Sequence, residues 1–305
     1  MKRLSLIIVT YHSEHDIYDC LESVWKHCDI PADELEVIVV DNSEQSEPMF
    51  TRLRDRYAER VTLVHNTHNG GYGQGNNVGI RMAAAPVVLI MNPDVRLCEP
   101  LFKSAVEAFE HDPRLCMYGM RQMLAEGVRS PLSFDCSRRL NGYVIPVLSS
   151  LCNKVNLYIP SIMYLQGSCF FIRKEMFEQV GLFDEDIFMY GEEDDIHWRM
   201  KRAFGPHFSY QRRQRYLHLT LERPMNLETE KKMVASTVCV NQKRGVPECR
   251  TLRNYIRYYK VRLASAKVKN LLRRNSQVQQ IAILREMIQY LNTSLATSAA
   301  NTQHP

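Results

Sequence analysis

From Val61 to Val95 the chain reads VTLVHNTHNGGYGQGNNVGIRMAAAPVVLIMNPDV. An apolar strand pattern leads into five glycines within ten positions, Gly70 to Gly79, then an alanine-containing helical pattern and a second apolar strand. A glycine-rich turn between strand and helix lets backbone N–H groups come close to a phosphate. The second strand stops at Asn92-Pro93-Asp94, where proline cannot continue a hydrogen-bonded ladder and so fixes a bend.

Working outward, the same alternation fills the chain on the N-terminal side. LSLIIVTYH (Leu4–His12) is a buried-strand run, and Ile17, Leu21, Val24 and Trp25 then fall at helical spacing. LEVIVVDNS (Leu35–Ser43) is a second strand, followed by the helical pattern MFTRLRDRYAE. Four strand–helix alternations predict an α/β fold with a mostly parallel, doubly wound sheet, whose ligands bind at the carboxyl ends of the strands. Thr10-Tyr11, Asp41-Asn42, the glycine stretch and Asn92-Pro93-Asp94 all fall at those ends.

Beyond Glu99-Pro100 the pattern predicts a helix to Pro113, loops over the rim from about Gly119 to Tyr164 that include SRRLNGYVIPVLSS, and a strand at Phe170–Ile172. A helix over 174–180, an acidic turn, a helix over about 194–203 and a strand ending near His218 come next. From Thr251 two helical patterns split near Asn275-Ser276, and TSAANTQHP is expected to fray. The expected domains are 1–242, carrying the chemistry, and a basic helical extension, 243–305.

Composition narrows the classes. Hydrophobic residues at 45% and charged residues at 24% are globular values. Nine cysteines, scattered and without a CxxC pair, suggest neither a metal knuckle nor a disulfide framework, so a reducing, cytoplasmic setting is expected. The N-terminal apolar run is too short for a signal peptide, and no run of about 18 apolar residues predicts a membrane span. The net charge of +5 is uneven: Lys243–Arg274 holds eleven Lys and Arg against one acid, Glu248, which leaves the rest of the chain net acidic.

Each motif admits a plain reading. Gly71, Gly73 and Gly75, with Asp94 further on, approach a dinucleotide-binding spacing, but that fingerprint belongs after the first strand, where no glycine occurs; a tight turn remains open. Asp94 at a strand end beside a phosphate-type loop suits Mg2+ or Mn2+, or simply caps a turn. In GEEDDIHWR, four carboxylates at a helix start complement the helix dipole, and crowding also favours one as a proton acceptor. His218 is a structural histidine or a ligand.

Together these residues resemble the inverting family 2 glycosyltransferases of the GT-A fold, particularly bacterial rhamnosyltransferase-like members. Four pieces stand in that family's order: SLIIVTYHSEHDIYDCLESV; EVIVVDNS; NGGYGQGNNVGI with VVLIMNPDV; and QGSCFFIRKEMFEQVGLFDEDIFMYGEEDDIHWR. The resemblance covers roughly residues 3–220. It implies a GT-A, Rossmann-like sheet flanked by helices and an enzyme moving a sugar from a nucleoside-diphosphate donor, dTDP-rhamnose or a UDP-sugar, to a glycan or lipid-linked acceptor. The setting implied is cell-surface polysaccharide synthesis.

Within that resemblance Thr10, Tyr11, Asp41, Asn42, Asn69, Gly71, Gly73, Asn76 and Asn92 would face the donor. Asn92-Pro93-Asp94 is similar to a DxD metal motif with Asn in the first position. Asp94 would be the chief ligand of Mg2+ or Mn2+, with His218 a second. The acidic motif aligns Glu193 with the base, where the family generally has Asp; Asp194 ranks next, and Asp195 would orient the acceptor or the helix start. The Asn92 and Glu193 departures also allow a non-catalytic nucleotide-sugar- or carbohydrate-binding relative.

The basic tail has two readings. Leu252, Tyr255, Ile256, Tyr259 and Leu263 share one helical face, flanked by Arg253, Arg257, Lys260 and Arg262. Such a helix suits peripheral contact of residues 243–274 with an anionic membrane, on the inner face of the plasma membrane, or packs on the catalytic domain. No base-reading motif supports nucleic acid as its partner.

Overall fold

The computed structural model describes residues 1–137, 144–219, 225–272 and 277–301. Residues 138–143 of the expected rim loops, the Asn275-Ser276 break, Arg273 and Arg274 of the basic tract, and the last four residues of the expected frayed end lie outside them.

The N-terminal alternation is β1 (Leu4–Thr10), α1 (Ile17–Lys26), β2 (Leu35–Asp41), α2 (Glu47–Tyr57), β3 (Thr62–His65), α3 (Gly71–Met82) and β4 (Val87–Met91). The chain continues through β5 (Val95–Leu97), α4 (Phe102–His111), β6 (Met117–Ala125), β7 (Val128–Arg129), β8 (Phe134–Cys136), α5 (Val144–Val155) and β9 (Met163–Leu165). Next come β10 (Cys169–Arg173), α6 (Lys174–Gln179), α7 (Glu192–Phe204) and β11 (Phe208–His218). The helices α8 (Leu227–Lys243), α9 (Glu248–Leu272) and α10 (Val278–Asn301) complete the described chain. It divides into two compact units, one of Met1–Asp135, Ser150–Phe188 and Glu192–Leu221, the other of Cys136–Ser149, Met189–Gly191 and Glu222–Pro305.

In the first unit the main sheet runs β3-β2-β1-β4-β10-β6-β11-β5, with β7 on β6. β1 to β4 are parallel as expected, with β1 between β2 and β4. β10 runs antiparallel to β4 and β6, and β11 pairs parallel with β6 and antiparallel with β5. The sheet is buried on both faces, which is why β1 reads as an unbroken apolar run. Leu4, Leu6 and Ile8 pack with α1, α2 and α4 residues such as Leu21, Phe50 and Phe102. Ile7 points the other way, into a layer with Ile80 of α3, Phe177 of α6 and Met200 of α7.

Two sequence expectations need correction. The 119–164 segment is not all loop: β6 is a long strand of the main sheet, and β8 and β9 pair as a separate two-stranded sheet. Buried methionines and the adjacent polar pair Arg121-Gln122 leave β6 without an alternating period. The glycine stretch is likewise helical from Gly71 on, not an extended loop. Its glycines are spaced for close packing: a Cβ at Gly79 would lie 2.6 Å from the Ile7 side chain, and one at Gly75 would lie 2.8 Å from Val9.

The second unit has its own core, in which Val234 of α8, Leu252, Ile256 and Tyr259 of α9, and Leu284, Met287 and Leu291 of α10 pack together. The apolar face expected to meet a membrane is therefore spent: Leu252, Ile256 and Tyr259 are buried, and Tyr255 and Leu263 pack against the same cluster. α8 within this bundle escaped the sequence reading. No helix among the described residues is long and apolar enough to cross a membrane.

Candidate active site

β4 delivers Asn92 to the rim, where its N–H donates to the Ser168 carbonyl at 2.9 Å and its carbonyl accepts from the Val95 N–H at 3.1 Å. That closes the turn through Pro93 and puts Val95 in β5. β5 pairs with β11, setting Val95 opposite His218, and the Leu219 N–H donates to the Asp94 carbonyl at 3.0 Å. The pairing brings His218 Nε2 to 3.2 Å from Asp94 Oδ1, both side chains at most a quarter exposed. Arg96, missed in the sequence reading, braces the turn: its guanidinium donates to the carbonyls of Pro93 at 2.8 Å and Val95 at 2.9 Å, and contacts Asp16.

This donor set is one carboxylate and one imidazole. Among the described residues no group of three or more His, Cys, Asp or Glu side chains could hold a metal. Two protein ligands fit a hard divalent cation that keeps several positions for phosphate oxygens and water, the pattern expected for Mg2+ or Mn2+. Asn92 brings no carboxylate to the set.

The second rim cluster joins β1, β2 and the start of α3. Thr10 Oγ1 donates to Asp41 Oδ1 at 2.8 Å and Ser43 Oγ donates to the same oxygen at 2.9 Å. Asn42 Nδ2 donates to the Gly71 carbonyl at 3.2 Å, and its Oδ1 accepts from Asn66 at 2.8 Å. Asn69 Oδ1 accepts from the Gly71 N–H at 3.1 Å. Thr10, Asp41, Asn42, Asn69 and Gly71 are thus brought together, while Tyr11 stands half-exposed at the edge, its ring against His12. Asp41 and Asn42 are almost fully buried, and their polar groups are satisfied within this network.

The glycine helix serves the site mainly by what it lets approach. Gly71 has φ +89°, and a side chain there would overlap the Phe188 carbonyl, so only glycine starts this helix. Gly73 faces Phe183 rather than the rim: a Cβ there would sit 3.0 Å from the Phe183 side chain. Asn77 is committed to the same segment, donating to the Phe183 carbonyl at 2.9 Å and accepting from its N–H at 3.0 Å. Asn76 donates to the Tyr72 carbonyl at 2.9 Å, and its buried Oδ1 meets no hydrogen-bond partner among the described residues.

The acidic motif forms the first turn of α7, as helix-dipole reasoning predicts. Its members differ sharply. Asp195 is bound by Arg199 through Nε at 2.7 Å and Nη2 at 2.6 Å, and Arg199 also donates to the Val180 carbonyl. Asp194 is buried, whereas Glu193 is partly exposed. The Glu193 carboxyl lies directly over Gly167, where any Cβ would collide with it. Tyr72 OH donates to the Gly167 carbonyl at 2.6 Å, and burial, with the charges of Glu193 and Glu192, pushes this phenol well up and keeps it a donor.

Gly167-Ser168 is therefore the joint between the two halves of the site: Ser168 holds Asn92, and Gly167 seats Glu193. The sequence contained this signal as the glycine of YLQGS, but nothing in its spacing said which side chain required it.

His197 fixes the acidic turn from below. Its Nε2 accepts from the Leu165 N–H at 3.1 Å, and its Nδ1 lies 2.7 Å from the Glu193 carbonyl, so the neutral ring carries its proton on Nδ1. Burial pushes its pKa down to about 4. A depressed folded-state pKa makes the neutral ring stabilising above the unfolded value of about 6.5, and that contribution is lost as pH falls towards 4. In urea titrations between pH 7 and 4, wild type should lose up to about 3 kcal/mol more than His197→Gln, which keeps both hydrogen bonds without titrating. Parallel pH curves for the two proteins would rule this out.

The model for "Glycosyl transferase family 2" matches residues 5–181. A low-salt glycan biosynthesis hexosyltransferase of Haloferax volcanii is 28% identical over 219 residues, covering 65% of this chain and 62% of that protein. The poly(ribitol-phosphate) beta-N-acetylglucosaminyltransferase TarS of Staphylococcus aureus is 30% identical over 155 residues, 49% of this chain and 27% of its own length. The chain thus spans less than two thirds of either relative. Among solved structures, a mannosyltransferase of Pyrobaculum calidifontis in complex with GDP-Man and Mn2+ superposes with TM-score 0.59 at 17% identity, covering 99% of this chain and 87% of that one. S. aureus TarS 1–349 in complex with UDP-GlcNAc gives TM-score 0.53 at 16% identity, over 97% and 83% of the two chains. With the family model covering more than half its length, in the region that builds the strand-end rim, the chain belongs to glycosyl transferase family 2.

Proposed function

We propose that this protein transfers a hexosyl group from a nucleoside-diphosphate sugar to a hydroxyl of a glycan or lipid-linked acceptor, with inversion at the anomeric carbon. The observation that carries the reading is the placement of Glu193 over Gly167, one residue from the Ser168 carbonyl that anchors the Asn92–Asp94 turn. A carboxylate and a paired Asp94–His218 set on one rim are the two components that a single displacement needs.

In this mechanism Thr10, Tyr11, Asp41, Asn42, Asn69 and Gly71 line the nucleoside side of the donor, and Asn76 and Asn92 face its sugar diphosphate. The buried Asn76 Oδ1, without a partner among the described residues, supports that placement. Gly73 acts through packing. Asp94 and His218 would hold Mg2+ or Mn2+, which supplies positive charge against the leaving diphosphate. Glu193 takes the acceptor hydroxyl proton as the oxygen bonds to the anomeric carbon and the bond to the diphosphate oxygen breaks, so one displacement inverts the centre. Asp194 ranks second as base. Asp195, held by Arg199, orients the helix start.

In this reading residues 1–242 carry the donor chemistry and 243–305 are a basic helical extension. A neighbour in complex with UDP-GlcNAc supports a UDP-sugar as the first donor to try; dTDP-rhamnose follows from the sequence resemblance alone, as does a place in cell-surface polysaccharide synthesis. Incubation with UDP-, dTDP- and GDP-sugars plus Mn2+ or Mg2+ should release nucleoside diphosphate from at least one donor, and EDTA should stop it. Nucleotide binding without hydrolysis or transfer across the panel would favour the non-catalytic reading, which Asn92 motivates.

A further inference from the structure

We propose that the outward face of α9 is a docking surface for an anionic membrane. The inward face is buried in the helical bundle through Leu252, Ile256, Tyr259 and Ala266, so the helix has one fixed orientation within its unit. On the opposite side Val261 and Val268 lie two turns apart, 50% and 58% exposed, and Leu271 follows one turn on, 84% exposed. Arg253, Arg257, Lys260, Lys267 and Lys269 are exposed along the same helix. Its sole acid is Glu248, at the first residue. The one α9 cation with a carboxylate partner among the described residues is half-buried Arg262, which pairs with Glu230 of α8.

An aliphatic strip flanked by unneutralised cations is the pattern of a helix lying in a lipid interface: the aliphatic groups enter the acyl boundary while the cations meet headgroup phosphates. Each such cation strengthens binding to an anionic surface by about fivefold. A second copy of the chain fits poorly, because a two-fold contact would set like charges against each other around only three large apolar side chains. A nucleic acid would use the cations and leave the aliphatic strip in water. This surface is a different one from the face the sequence suggested, and the inference does not depend on the transferase reading.

The test is flotation of the full chain with vesicles of phosphatidylcholine alone, or with roughly 30% phosphatidylglycerol, at moderate ionic strength. Wild type should bind the anionic vesicles about tenfold or more tightly than the neutral ones. Val261→Glu/Val268→Glu and Lys260→Glu/Lys267→Glu should each lose about tenfold or more, while Arg285→Glu on α10 should change binding by less than about threefold. Unchanged helical circular dichroism keeps loss of fold from explaining the result, and the lysine pair, exposed and outside the bundle core, provides a second variant. Equal binding of wild type to both vesicle types, or retention of binding by both double variants, overturns the proposal. So does a dimer that the valine variant dissociates while vesicle binding is unchanged.

Discussion

Asp94→Ala should lower sugar transfer by about a hundredfold to a thousandfold, with a matching loss of metal-stimulated nucleotide binding. Asp94 is the only carboxylate of the Asn92–Asp94 turn, and its partner His218 cannot replace its charge. Asp94→Asn should be nearly as inactive, because it preserves the size and a contact to His218 but not the negative charge that attracts a divalent cation. His218→Ala, which leaves the carboxylate, should cost less, about tenfold to a hundredfold. Initial rates and isothermal titration of nucleoside diphosphate with and without Mn2+ give both readouts. If Asp94→Ala transfers sugar at the wild-type rate, the turn is a cap and the metal reading fails.

Glu193→Gln should reduce kcat by about a hundredfold to ten-thousandfold while the donor KM changes little, since removing a proton acceptor affects the transition state and not donor binding. Asp194→Asn should leave most of the rate. Asp195→Asn should act differently again: its carboxylate is bonded to Arg199, so the loss should appear in thermal stability as well as in rate. A collapse of kcat in Asp194→Asn with a near-normal Glu193→Gln would move the base by one residue. Gly167→Ala provides an independent check, because a methyl group there displaces the Glu193 carboxyl without altering its chemistry.

Much of the fold was legible because its signals are local. Strands buried on both faces show as unbroken apolar runs, and β1, β2 and β4 appear where those runs lie. β6 was not legible, because its pairing with β10 and β11 joins segments far apart in the chain and its glycine and methionines carry no clear period. The glycines of α3 were legible as close-approach positions but not as to what approaches: Phe188 at Gly71, Phe183 at Gly73, Val9 at Gly75 and Ile7 at Gly79, rather than a phosphate alone.

The sequence by itself determined the alternation of strands and helices from β1 to β4, the polar residues at four strand ends, the acidic start of α7 and the basic character of the tail, since each depends on neighbours within a few turns. Tertiary structure decided the rest. The antiparallel pairing of β5 with β11 sets His218 against Asp94, and the Gly167-Ser168 joint seats Glu193 beside the same turn. Packing of α9 with α8 and α10 consumed the aromatic face that periodicity offered and left Val261, Val268 and Leu271 outside. Periodicity shows that a helix has an apolar side, but only the neighbours that cover it determine which side remains for a partner.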